Sequence, residues 1–241
     1  MAVPLGGRLT EGIASVAWAP RTADNWVVAA GAAGGRGAHD VVIVGRGPTN
    51  LPRVHTSRIA GLCAVDGTVI VSGGFDGRLQ LYDGASARLT RALSGATPRR
   101  KWNDVCAVPA WGHHIVMATA SVSDSADDAG GYRAEILDVR LAQPTVASFF
   151  AADAGALSAN VAARCSADGT WVTLGSHAGV VRLWDLRRQG MAEAAKTPPL
   201  TVAVGPVKGV AHVTVVESTA GTVILAAACA SQVVVKKWAP P

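Results

Sequence analysis

The stretch DGTVIVSGGFDGRLQLYD, Asp66 to Asp83, decides how the rest of the chain is read. It returns without a gap as DGTWVTLGSHAGVVRLWD, Asp168 to Asp185, with seven of eighteen positions identical. A third, looser copy, GTVILAAACASQVVVKKW, runs from Gly221 to Trp238. Self-similarity in this order is the mark of a repeat architecture. Asp66-Gly67 and Asp168-Gly169 are turn dipeptides, because Gly accepts positive φ and Asp can hydrogen-bond its own backbone. A run rich in β-branched side chains follows each, Thr68 to Ser72 and Thr170 to Leu174. After a second turn, Gly73 to Gly77 or Gly175 to Gly179, another strand ends in an aromatic residue and an Asp. That is a β-hairpin pattern. Its strands are near-continuously apolar where a half-exposed strand would alternate, so both faces are expected to be covered. Blades packed radially against their neighbours cover both faces in this way.

At these residues the chain resembles the WD-repeat β-propeller family. Trp184-Asp185 is the dipeptide that names the family, and Tyr82-Asp83 and Leu137-Asp138 are degenerate forms of it. His55, shortly before Ile59 and Leu62, stands where the family places the His that precedes a blade's first strand. The resemblance implies a hydrogen-bonded network of His55, Ser72 and Asp76, with Tyr82 in place of the Trp. In the repeat that carries Trp184 itself, Leu174 and Ala178 replace the Ser and the Asp. Those repeats are expected to rest more on apolar packing than on the network.

The resulting expectation is an all-β fold, a single β-propeller domain over residues 1–241 with about five, or six, four-stranded blades. The first runs from Ile13 to about Arg58, the second from Ile59 to Leu93 and the third from Trp102 to Phe150. The fourth spans Asn160 to Val204 and the last Val207 to Trp238. The last stretch is short of a fourth strand. Either Val3 to Leu9 supplies it and closes the ring, or the ring is open and a partner donates a strand or blade, as in nuclear-pore and vesicle-coat scaffolds. Register is open by one residue in the second blade, where Cys63 and Ala64 compete for one core position.

Composition sets the class. Half of the 241 residues are apolar and 16% are charged, which excludes a disordered chain. No apolar run is long enough to span a bilayer, and Met1 to Thr10 lacks signal- and transit-peptide patterns. The expected location is therefore intracellular, cytoplasmic or nuclear. Cys63, Cys106, Cys165 and Cys229 are scattered in apolar stretches without metal-ligand spacing, and read as small buried hydrophobes. The net charge of +5 permits nucleic acid or an acidic partner and argues strongly for neither.

Catalytic templates are absent from the sequence. The glycine-rich Gly31 to Gly37 lacks the GK[ST] of a phosphate-binding loop. Asp124, Asp127 and Asp128 lack the alternating ligands and terminal Glu of a calcium loop. His113 and His114, neighbours on a strand, point to opposite faces, and His177 has no partner carboxylate to complete a triad. No catalytic residue, cofactor or metal is expected. Two clusters carry binding signals. Arg99-Arg100-Lys101-Trp102 sits at a connection between blades, where a basic triplet beside an aromatic suits an acidic peptide, phosphate or nucleic acid. The plainer reading is that the cations are solvated and Trp102 packs inward. Trp184-Asp185-Leu186-Arg187 resembles the WDxR signature of WD-repeat substrate receptors for cullin-RING ubiquitin ligases, with Leu137-Asp138-Val139-Arg140 as a partial second copy. In that family Asp185 and Arg187 would dock the ligase adaptor. The same tetrapeptide also serves purely as a blade turn. The function expected is a non-enzymatic protein-interaction scaffold, a subunit of a larger assembly. The alternatives are a ligase receptor, a propeller enzyme and a nucleic-acid-binding module.

Overall fold

The structure is a computed structural model. It describes residues 13–19, 26–31, 41–44, 48–50, 52, 55–65, 68–93, 100–112, 114–122, 130–152, 161–176, 179–187, 194–196, 198–204, 210–216, 223–229 and 232–238. The architecture is all-β, built from repeated antiparallel meanders, and the chain divides into two compact units, Met1–Ala107 and Val108–Pro241.

In the first unit, β1 (Ile13–Ala19), β2 (Trp26–Gly31), β3 (Val41–Val44) and β4 (Pro48–Asn50) pair in chain order as one four-stranded sheet. A second four-stranded sheet joins β5 (Ile59–Val65), β6 (Val69–Gly74), β7 (Leu79–Asp83) and β8 (Arg88–Ala92). β9 (Arg100–Ala107) completes the unit. The first strands stack in sequence, β1 on β5 and β5 on β9. Backbones approach so closely there that a Cβ on Gly61 would collide with the backbone of Asp104 and Val105. Only glycine fits at such a crossing.

Strands β5, β6 and β7 of the second sheet are buried on both faces, as their apolar runs predict, and β8 is exposed or half-buried along its length. In β5, Leu62, Cys63 and Val65 are all buried, so the competition between Cys63 and Ala64 resolves in favour of Cys63. Strand partners place Ser72, Gln80 and Tyr82 on one face, with Val71, Leu79 and Leu81 on the other. The side chains of Leu79 and of Trp102 and Val105 of β9 converge on the space a Cβ at Gly73 would take.

In the second unit, β10 (Ile115–Val122), β11 (Gly131–Asp138) and β12 (Thr145–Ala152) form a meander of long strands. β13 (Ala163–Cys165), β14 (Trp171–Gly175), β15 (Val180–Asp185) and β16 (Leu200–Ala203) form another four-stranded sheet. β17 (Val210–Val216), β18 (Val223–Cys229) and β19 (Gln232–Trp238) form a three-stranded one. The β13–β16 sheet is sandwiched. On one face Trp184 meets Phe149 of β12, ring centroids 5.3 Å apart. On the other, Trp171, Val181 and Leu183 pack with Ala227 and Val234 of the last sheet.

The two clearest sequence repeats are repeats in three dimensions. Gly77 and Gly179, equivalent in the alignment, have φ of 77° and 76°. The N–H of Gly84 bonds the Thr68 carbonyl at 2.6 Å, and that of Leu186 bonds the Thr170 carbonyl at 2.8 Å. Asp66-Gly67, Val3 to Leu9, residues 32–37, Arg99, His113, the Asp124–Asp128 cluster, His177 and Ala178 lie outside the described residues. Among the described residues no helix is long and apolar enough to cross a membrane.

Candidate functional site

The densest polar arrangement is built on β5–β8. His55, in the segment entering β5, is 3% exposed, and Ser72 on β6 is fully buried. His55 Nε2 lies 2.7 Å from Ser72 Oγ, and Nδ1 lies 3.1 Å from both Asp76 carboxylate oxygens. A carboxylate only accepts, so Nδ1–H donates to Asp76, and Nε2 shares the remaining hydrogen bond with the Ser72 hydroxyl. The Tyr82 hydroxyl completes the chain at Ser72. Asp76 also accepts from the N–H groups of Thr56 at 2.9 Å and Arg78 at 3.1 Å. Burial pushes the Asp76 carboxyl up, but the His55 bond and the two backbone donors outweigh it and hold it below its ordinary value. Burial pushes the Tyr82 phenol up to about 12.

The order Ser–His–Asp is the order of a hydrolytic triad, and the distances match one. The surroundings do not. Ser72 Oγ has no exposed surface for a carbonyl to reach, and the Tyr82 hydroxyl already occupies its other side. Gly74 is where the pair needs room, since a Cβ there would sit 2.7 Å from both Asp76 Oδ1 and His55 Nδ1. The arrangement can fasten the β6–β7 turn to the segment entering β5.

Trp184 and its Asp lead to a different construction. The Asp185 carboxylate accepts from Arg187 three times: backbone N–H at 3.0 Å, Nε at 2.9 Å and Nη2 at 2.7 Å. Arg187 lies over the Trp171 ring, 4.8 Å from its centroid. Asp138 holds Arg140 in the same way, at 3.0, 3.0 and 2.8 Å. Asp83, with Ala85 at the corresponding place, accepts the Ala85 N–H at 2.9 Å and the Ser86 hydroxyl at 2.6 Å. All three are Asx turns that bend the chain out of the strand each Asp ends, β7, β11 or β15, and the Arg adds a fork when present. The Arg140 bonds hold Asp138 below the usual carboxylate range, and the Asp185 bonds push Arg187 higher still.

Of the basic cluster, Arg100, Lys101 and Trp102 lie on β9. Arg100 opens β9, Lys101 is exposed, and Trp102 is fully buried with its Nε1–H donated to the Gly77 carbonyl at 3.0 Å. The indole pins a hairpin turn and is not offered to a ligand. A second indole does the same work. Trp111, in a 3-10 turn at Pro109–Trp111, donates Nε1–H to the Gly169 carbonyl at 2.9 Å. No sequence signal marked Trp111, because its target lies 58 positions away in a different meander.

Among the described residues no group of three or more His, Cys, Asp or Glu side chains could hold a metal ion. No protein-family model matches the chain, and no curated protein matches it in sequence.

Proposed function

We propose that the chain is a WD-type β-propeller that acts as a non-enzymatic scaffold, holding other proteins in an assembly. The observation that carries this reading is the buried His55–Ser72–Asp76–Tyr82 chain in a meander whose hairpin recurs along the sequence. That group carries a nucleophile's chemistry and spends it on fastening a turn. What remains for function is surface, including Val233 and Val235 of β19, 73% and 63% exposed. Exposed valines on a strand whose other face is packed suit a surface that meets another protein.

Affinity purification from native cells, with cross-linking mass spectrometry, tests the reading. A stoichiometric partner cross-linked to folded chain is expected; a protein with no stable partner overturns it. The ligase-receptor reading rests on the WDxR tetrapeptide alone, and the Asp185–Arg187 fork is matched by Asp138–Arg140 as a turn device.

A further inference from the structure

We propose that β12 is the seam of a homodimer, with two copies pairing their β12 edges antiparallel about a two-fold axis at Ser148. The inference does not depend on the scaffold reading. β12 ends the strand order of its sheet, and no described strand pairs with it on the side away from β11. Its sequence, TVASFFAA, has eight residues and no charge. The last strands of the other sheets are guarded: β4 has three residues and starts on Pro, β8 carries Arg88 and Arg91, β16 has four residues, and β19 carries Lys236 and Lys237. Short, charged or proline-bearing edges resist pairing with another chain, and a long uncharged one invites it.

Three observations select a second copy as the occupant. First, of the five exposed large hydrophobics among the described residues, Val146 and Phe150 lie on β12, and Leu141 lies in the turn leading to it. Val146 and Phe150 lie two residues either side of Ser148, Val146 at the bulge where β12 takes one residue more than β11, and a two-fold at Ser148 sets each Val146 opposite the other copy's Phe150. Second, a strand paired with itself meets its own charges; β8 would confront arginines with arginines, whereas β12 has no charge of its own. Third, Ser148 Oγ is shielded from water without a hydrogen-bond partner. The two-fold places the two Ser148 residues opposite one another, and a hydroxyl that rotates out of its covered position toward the seam gains a partner there. A two-fold pairing uses the single β12 edge of each copy, so it closes at two.

Light scattering across a concentration series, on the full chain, should show a dimer forming at micromolar protein. Val146→Lys should weaken dimerisation at least about tenfold by setting a cation beside the other copy's Arg133, which already lies over the Phe150 ring, whereas Thr90→Lys on β8 should leave it unchanged. Because a lysine on β12 could also disturb folding, Ser148→Cys gives an independent readout: oxidation should cross-link two copies through residue 148, above the wild-type background. A wild-type monomer at every concentration overturns the proposal. So does a dimer that Val146→Lys leaves intact, or one in which Ser148→Cys fails to cross-link.

Discussion

Asp76 shows how much one carboxylate can carry when its hydrogen bonds come from fixed donors. Its folded pKa lies below the ordinary 3.8, so its contribution is complete above that value and is lost as pH falls through the lower folded one. Asp76→Asn should therefore flatten the acid side of a stability–pH profile, and should cost about 2 kcal/mol near neutrality by breaking the charge-assisted bond to His55. Urea titration at several pH values measures both. Tyr82 works at the other end of the scale. Its phenol is raised to about 12 from 10.0, so the stability it confers is full below pH 10 and fades as pH rises through 12. Tyr82→Phe should remove that alkaline slope and cost about 1 kcal/mol. If Ser72 is structural, a fluorophosphonate probe should leave the folded protein unlabelled; labelling that Ser72→Ala abolishes would reverse the assignment. Three of these four residues were legible through the resemblance, and Tyr82 was legible as a substitute because the aligned Trp184 marked its place. Glycines were legible only in part. Gly169, read as a turn residue, has φ of 75° and also faces Trp111, whose Nε1 would lie 2.5 Å from an added Cβ. Gly169→Ala should cost about 2 kcal/mol in thermal unfolding, combining backbone strain with displacement of the indole.

A strand that must be apolar on both faces announces itself in sequence, and β6, β7 and β14 did so. What the pattern could not announce is which face meets which neighbour. Trp184 and Trp171 sit on opposite faces of one sheet, one against Phe149 and the other against the last sheet with Arg187 over its ring. Those pairings depend on how sheets stack, which no linear spacing encodes. Trp184→Ala should cost about 3–5 kcal/mol, since it empties a buried aromatic pair. Arg187→Ala is a different matter, because its fork with Asp185 is half-exposed. It should cost under about 1 kcal/mol. That separation makes Arg187→Ala a clean probe of the ligase-receptor reading. With folding preserved, a wild-type chain that binds the adaptor and a variant that does not would favour the receptor over the scaffold.

At the scale of the whole molecule, the five stretches of sequence assigned to repeats each contain an antiparallel meander, and loop lengths account for their uneven spacing. Repeats of the hairpin were legible because turn glycines and the closing Asp are fixed by backbone geometry. Partners were not, because a binding surface needs no periodicity. Charge offers the remaining test. The chain carries +5 over 241 residues, and several cations are already engaged: Arg140 by Asp138, Arg187 by Asp185, and Lys236 by the Ala203 carbonyl at 2.6 Å. A nucleic-acid interface needs cations free to displace counterions along a phosphate backbone, and each such contact steepens the loss of affinity with salt. Every cation held by the protein itself is one fewer for that work. Binding to a duplex or single strand should therefore be non-specific, with a Kd of about 10⁻⁴ to 10⁻⁶ M near physiological salt. Titration at two ionic strengths decides the matter. Nanomolar affinity with a steep salt slope would mean that the molecule presents a basic surface to nucleic acid and that a protein scaffold is the wrong class.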